Sequence, residues 1–258
     1  MRRLISVISW AALSLACYAQ SPSIVAHRGA WNCDEGGYAR NSRAALTQSL
    51  KQGYWGTEFD VNMCADGTLL VYHDSKIDGR IIEDHNASEF KDYRLENGES
   101  IPTLEEFLKA AKDSPETMLV FELKKHSCPE VESQAVTRSV EVLAKHGLLD
   151  PQRVMFISFS YHICKEFARL VPGFHISYLG FTKSLKQLSE AGIDGIDCNY
   201  NILLLDRSRI KRAHELGMTV NCWTVNNEKI ARKMIDAGVD QITTDDPEMV
   251  RRIIEESK

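Results

Sequence analysis

Short apolar runs rich in β-branched and aromatic residues alternate along the chain with stretches whose apolar positions recur every three to four residues, the periods of strand and amphipathic helix. The runs predict strands beginning near Ile24, Thr57, Met118, Val154, His175, Gly195, Thr219 and Gln241. Helical patterns between or after them cover 41–52, 103–112, 131–146, 206–216, 228–237 and 247–255. Gly53, Gly147, Gly192, Gly217 and Gly238 stand where a left-handed residue ends a helix. Eight strands, each followed by a helix, predict an α/β fold in the form of a closed parallel (β/α)8 barrel. An open doubly wound sheet is the runner-up. Against it, no G-x-G-x-x-G opens the first helix, and the later strands recur every 20 to 24 residues, a compact repeat suited to a ring.

One interval breaks the rhythm, because 61 residues separate Thr57 from Met118. Part of the excess reads as a hairpin return over 68–74, and the rest is the polar segment 75–100. The barrel therefore carries a small insertion after strand 2, at the C-terminal face where barrel enzymes place their chemistry. The segment reads as a cap without a second core.

The first residues follow a different pattern. Arg2 and Arg3 precede an uncharged apolar run from Leu4 to Ala16, and Cys17 and Ala19 offer small residues at the positions a signal peptidase reads. Residues 1–19 are expected to be a signal peptide and 20–258 the barrel domain, exported to the periplasm or secreted. The alternatives are an uncleaved anchor, which the shortness of the run disfavours, and a lipoprotein-type cleavage before Cys17, weakened by Ser14. Cleavage removes two basic residues and no acidic ones, so a formal charge of −5 becomes −7. An acidic chain without a Lys/Arg run argues against nucleic acid as a partner, and no stable membrane insertion is expected after cleavage. At 43% hydrophobic and 26% charged, the composition excludes disorder and a multi-pass membrane protein. The pattern sets no oligomeric state.

Of the six cysteines after residue 19, none form C-x-x-C, so neither a zinc ribbon nor a thioredoxin-type centre is indicated. Cys164, Cys198 and Cys222 sit in apolar patterns as buried free thiols. Cys33 and Cys64 fall in polar loops past strands one and two, and an exported protein is expected to pair them.

Strands buried on both faces should be apolar, so ionisable residues at their ends need a reason. Four segments break the rule together: His27-Arg28-Gly29, Glu58-Phe59-Asp60, His73-Asp74 and Glu122-Leu123-Lys124. The i, i+2 spacing puts Glu58 and Asp60 on one side of a strand, and likewise Glu122 and Lys124. Singly, each is an ordinary polar turn or ion pair, and Glu122 and Lys124 can pair with each other. Converging at one barrel mouth, three carboxylates would repel, and a hard divalent cation neutralises them economically. An all-oxygen set favours one Mg²⁺ or Ca²⁺ over Zn²⁺. Arg28 and Lys124 beside it would suit a phosphate group, and two imidazoles can serve as acid and base. His85, His126, His146, His162, His175 and His214 receive no role.

At these residues the chain resembles the glycerophosphodiester phosphodiesterase family. The ordered set runs through His27-Arg28-Gly29-Ala30, Asn41-Ser42, Glu58-Phe59-Asp60-Val61, Asp66-Gly67 and Val71-Tyr72-His73-Asp74. It continues with residues 101–106, Phe121-Glu122-Leu123-Lys124, Trp223-Thr224-Val225-Asn226, Gly238-Val239-Asp240 and Thr244-Asp245-Asp246-Pro247. The resemblance implies a TIM barrel that hydrolyses small glycerophosphodiesters to sn-glycerol 3-phosphate and an alcohol. It further implies a divalent metal on Glu58, Asp60 and Glu122, His27 and His73 as the acid/base pair, and Arg28 and Lys124 on the phosphate. Trp223 would line the glycerol end of the pocket or pack at the barrel top. One departure is Ala39-Arg40, where the family often has Pro-Glu; Arg40 either rims the pocket or is plain surface. Two other functions compete: a lysophospholipase D-type phosphodiesterase, disfavoured by the scarcity of large apolar residues in 75–100, and a non-catalytic binding barrel, disfavoured because no acid, base or ligand is missing.

Overall fold

The computed structural model describes residues 21–112 and 116–256. The expected signal peptide, residues 1–19, lies outside the described residues. The strands are β1 (Ser23–Ala26), β2 (Gly56–Met63), β3 (Leu69–Val71), β4 (Lys76–Ile77), β5 (Arg80–Ile81), β6 (Met118–Leu123), β7 (Val154–Ser158), β8 (Ile176–Leu179), β9 (Gly195–Asn199), β10 (Thr219–Trp223) and β11 (Gln241–Thr244). The helices are α1 (Arg43–Gln52), α2 (Leu104–Ala111), α3 (Pro129–Lys145), α4 (Tyr161–Leu170), α5 (Leu185–Glu190), α6 (Tyr200–Leu205), α7 (Ser208–Glu215), α8 (Glu228–Ala237) and α9 (Pro247–Glu256).

Parallel pairing runs β1, β2, β6, β7, β8, β9, β10, β11 and back to β1, where Ser23 faces Gln241 and Ala26 faces Thr244. The ring is closed, so the (β/α)8 barrel holds and the open sheet falls. β3 returns antiparallel on β2, with Val61 opposite Val71 and Met63 opposite Leu69.

Local chemistry explains the boundaries. Ser42 accepts from the Ala45 amide to open α1, and Gly53 closes it at φ 64°, a left-handed value that glycine adopts without steric cost. Thr103 and Glu106 make a reciprocal capping box at the start of α2, and Asn227 and Gly238 bracket α8.

Strand alternation divides the core. Outward residues meet the helices: Phe59 packs on Phe107 at 4.8 Å between ring centroids, and Phe156 stacks on Phe167 at 4.0 Å. Burying each such ring contributes on the order of 2–3 kcal/mol. Inside the barrel, Val25, Val120, Met155, Ile157 and Leu179 form a separate apolar cluster. On β9, β10 and β11 the inward face instead carries polar residues at mid-strand: Asp197, Asn221 and Thr243 are all buried.

Two expectations are corrected. The insertion does contribute to a second small core, in which its Ile77, Ile82, Phe90 and Leu95 are buried with Ala39, Cys64, Leu70 and Ile101 from the flanking loops and hairpin. Its apolar residues are spaced too irregularly for either periodic pattern, since they sit on a hairpin, single-turn 3-10 helices and loops. The expected Cys33–Cys64 disulfide is absent, both thiols being free. Cys64 opens the loop after β2, as expected, but its side chain is buried in that small cluster, and the Cys33 sulfur stays in its own turn, accepting from the Gly36 amide at 3.3 Å. Cys164, Cys198 and Cys222 are free and buried, as their patterns suggested.

Candidate active site

The C-terminal ends of β1, β2 and β6 and the turn after β3 meet at one mouth. Asp60 faces Glu122 across the β2–β6 ladder, and the Lys124 amide extends that ladder to Val61 O at 2.9 Å. The turn after β1 is tight. The Arg28 backbone is left-handed (φ 57°), and a Cβ on Gly29 would stand 2.7 Å from the Ala45 Cβ, so only glycine lets the turn sit against α1. In that conformation the Arg28 amide donates to Glu58 Oε2 at 2.8 Å. Asn41 clamps Asp60 from both sides, donating from Nδ2 to Oδ2 at 2.8 Å and accepting the Asp60 amide at 3.2 Å. The end of β3 is tied down by Asn62, whose Nδ2 donates to Tyr72 O at 2.7 Å, and His73 follows directly.

These ties gather all the sequence-predicted residues except Asp60 around one cavity, lined by His27, Arg28, Glu58, His73, Glu122, Lys124, Ile157, Phe159, Leu179, Asp197, Trp223, Thr224 and Thr243 and enclosing about 110 Å³. Asp60 lies at its edge, with a carboxylate oxygen within 4.8 Å of both Glu58 and Glu122; all three are buried. Burial, and then the charges of Asp60 and Glu122, push the Glu58 carboxyl well above its usual range. Burial and Asp60 push Glu122 up to about 8 against the pull of Lys124. Burial also disfavours the Asp60 charge, but Lys124, His73 and Arg28 outweigh it and hold this carboxyl at about 2. Lys124 reaches Glu122 at 2.7 Å and Asp60 at 3.1 Å, and the Arg28 Nε lies 3.5 Å from Asp60. The cluster is thus short of positive charge, and Glu58 Oε1 is buried without a hydrogen-bond partner. A hard cation fits that donor set, because it would satisfy this oxygen and relieve the repulsion.

Both histidines are backed by carboxylates. His27 Nδ1 lies 2.7 Å from Asp245 Oδ1, and His73 Nδ1 lies 2.7 Å from Asp74 Oδ1. Asp245 is itself held, receiving Trp31 Nε1 at 3.2 Å and Asn226 Nδ2 at 2.6 Å. Burial, reinforced by Lys124 and Arg28 and only partly opposed by Asp60, lowers the His73 imidazole below its ordinary value. Trp223 lines the wall and meets the half-exposed Phe159 edge-on at 5.7 Å. Arg40 is exposed and stacked 4.1 Å from the Trp31 ring centroid, outside the residues that line the cavity.

Sequence reasoning gave no role to Asn41, Asp245 or Asp197. Asn41 and Asp245 lay inside quoted motifs and became legible only through their partners. Asp197 carried its own signal, an acid in the middle of the apolar run Gly195-Ile196-Asp197-Cys198.

The sequence profile of the glycerophosphoryl diester phosphodiesterase family matches residues 27–249. A glycerophosphodiester phosphodiesterase of Bacillus altitudinis is 28% identical over 254 residues, covering 91% of this chain and 99% of the relative. Among solved structures, a glycerophosphodiester phosphodiesterase of Parabacteroides distasonis is 40% identical and superposes with a TM-score of 0.88, covering 92% of this chain and 99% of that one. A phosphodiesterase of Oleispira antarctica, solved in complex with the product sn-glycerol 3-phosphate, is 25% identical with a TM-score of 0.78, covering 91% and 97%.

Proposed function

The chain belongs to the glycerophosphoryl diester phosphodiesterase family, and from that membership we propose that it hydrolyses small glycerophosphodiesters to sn-glycerol 3-phosphate and an alcohol, with one divalent cation, Mg²⁺ or Ca²⁺, on Glu58, Asp60 and Glu122. The observation that carries this reading is three buried carboxylates within 4.8 Å of one another, beside a cavity lined by His27 and His73. When bound, such a cation supplies Lewis-acid polarisation of a phosphate oxygen and lowers the pKa of a hydroxyl held beside it.

The protein's own groups do the rest. Arg28 and Lys124 line the cavity next to the acidic cluster, where their charges favour a phosphodiester and the further negative charge that builds on it during attack. The Asp245 carboxylate requires a proton on His27 Nδ1, which leaves Nε2 as the edge that exchanges a proton in the cavity. Asp74 does the same for His73. One imidazole takes the proton of the attacking hydroxyl, the other returns one to the departing alcohol oxygen, and the two are reset by exchange with solvent. The pocket wall of Ile157, Leu179 and Trp223 gives a three-carbon unit an apolar face.

Export to the periplasm or the medium is part of the proposal. It rests on the pattern of residues 1–19, and N-terminal sequencing of the protein from cell fractions tests it. Among the described residues, no helix is long and apolar enough to cross a membrane.

Three variants separate the roles. His27→Ala and His73→Ala should each abolish turnover of glycerophosphoethanolamine while leaving calorimetric metal affinity within about threefold, whereas Glu58→Ala should weaken metal binding about 10- to 100-fold. Wild-type turnover in any of the three contradicts the assignment.

A further inference from the structure

A second polar cluster faces the same cavity from the other half of the barrel, with no part in proton transfer or in holding a cation. Asp197 on β9 is 1% exposed and lines the cavity. Its Oδ2 accepts from Asn221 Nδ2 at 2.9 Å, and the same Asn221 nitrogen reaches Thr243 Oγ1 at 2.8 Å, so neighbouring strands fix the carboxyl in orientation. Its other oxygen, Oδ1, is buried without any hydrogen-bond partner, and Trp223, which lines the same cavity, likewise has its indole nitrogen buried and unpartnered. A buried polar atom left unpaired is costly, so two such atoms on residues that line one cavity call for a partner that enters it.

The chemistry of the missing partner can be read from these atoms. A hydroxyl both donates and accepts, so one hydroxyl can satisfy an acceptor at Asp197 and a donor at Trp223. Burial pushes the Asp197 carboxyl up to about 7, so near neutral pH it can either accept from a hydroxyl or donate to one. Position selects which end of the substrate it is. Asp197 is fully enclosed, beside the apolar Ile157 and Leu179, whereas Phe159 on the same cavity is 45% exposed. The variable head group needs an open exit, and the constant glycerol unit suits the enclosed end.

We infer that Asp197, oriented by Asn221 and Thr243, is a specificity-determining residue that binds the terminal hydroxyl of the substrate's glycerol unit, with Trp223 Nε1 as the complementary donor. This rests on the phosphodiesterase reading above and deepens it. Asp197 contacts substrate directly, while Asn221 and Thr243 are positioning residues. The site would thereby reject a diester that lacks that hydroxyl, because the two buried groups would then stay unpaired.

The experiment compares glycerophosphoethanolamine with its analogue built on propane-1,2-diol, which keeps the secondary hydroxyl and lacks only the terminal one. The metal-loaded wild type, Asp197→Ala and Asp197→Asn are assayed, with circular dichroism and thermal melts establishing that each is folded. Wild type should prefer the glycerol diester by about 10- to 100-fold in kcat/KM. Asp197→Ala should lose most of that preference while hydrolysing the analogue within about threefold of wild type, and Asp197→Asn, whose amide can still pair with a hydroxyl, should recover part of it. Equal loss on both substrates in Asp197→Ala, or no preference in wild type, overturns the inference. If Asp197→Ala fails to fold, Asp197→Asn decides by the same ratio: an unchanged rate on the analogue with an altered preference supports the assignment, and parallel loss overturns it. Should wild type cleave neither diester, the activity proposal fails instead; the subsite is then read by calorimetric binding of sn-glycerol 3-phosphate against propane-1,2-diol 1-phosphate, where equal affinity overturns it and a glycerol preference lost in the variant upholds it.

Discussion

His27 and Asp245, 218 residues apart in sequence, meet at 2.7 Å because the closing β1–β11 pair brings the two ends of the barrel side by side. Closure of the ring thus also brings up the carboxylate that backs His27, one of the two proposed acid/base residues. Asp245 cannot turn away, since Trp31 and Asn226 hold its two oxygens separately.

Replacing Asp245 by Asn tests that link. The amide can no longer demand a proton on His27 Nδ1, so the imidazole loses its fixed tautomer. Steady-state kinetics should show kcat reduced about 10²- to 10⁴-fold with KM nearly unchanged, and metal affinity should stay at the wild-type value. A loss confined to KM would instead place Asp245 in substrate binding.

Much of the barrel was legible in the chain. The eight strands begin within one residue of the starts read from apolar runs, because parallel strands buried on both faces leave an unbroken signal. α8 matches its periodic pattern residue for residue, its Asn227 and Gly238 caps being visible in sequence. The insertion was not legible as a packed unit. Ile77, Ile82, Phe90 and Leu95 sit on a two-residue hairpin, short 3-10 turns and loops, so their convergence on Cys64 is a tertiary fact without a periodic trace. In the site, the i, i+2 charged pairs announced Glu58, Asp60, Glu122 and Lys124, whereas Asn41 and Asp245 act through partners 19 and 218 residues away.

The metal-free protein should lose stability as pH rises. Glu58 and Glu122 have folded-state pKa values raised above those of the unfolded chain, Glu122 to about 8, so the folded state binds more protons than the unfolded state between about pH 4.5 and 8. Their contribution is fully present below pH 4.5 and is lost on ionisation. Asp60, held at about 2, shifts the other way but stays ionised across this window. Thermal melts in chelator should therefore fall from pH 7 to pH 9, above the range in which the lowered His73, His126 and His175 give the opposite slope, and added Mg²⁺ or Ca²⁺ should raise Tm more at pH 9 than at pH 7. A metal effect independent of pH would contradict the carboxylate cluster as the binding site.

The free thiols make a simple count. A chain beginning at residue 20 should return six thiols to a thiol reagent under denaturing, non-reducing conditions, since Cys33 and Cys64 occupy separate environments. Four thiols would mean that one pair is bridged in solution.

Cleavage of glycerophosphodiesters is proposed to require a cation held by the buried carboxylates. The most direct measurement is release of sn-glycerol 3-phosphate from glycerophosphoethanolamine by protein stripped with chelator and then supplied with Mg²⁺ or Ca²⁺. The stripped protein should release none, at least one of the two ions should restore release in full, and the same ion concentration should restore none in Glu58→Ala. Undiminished hydrolysis in chelator, or no release with either ion, would contradict it.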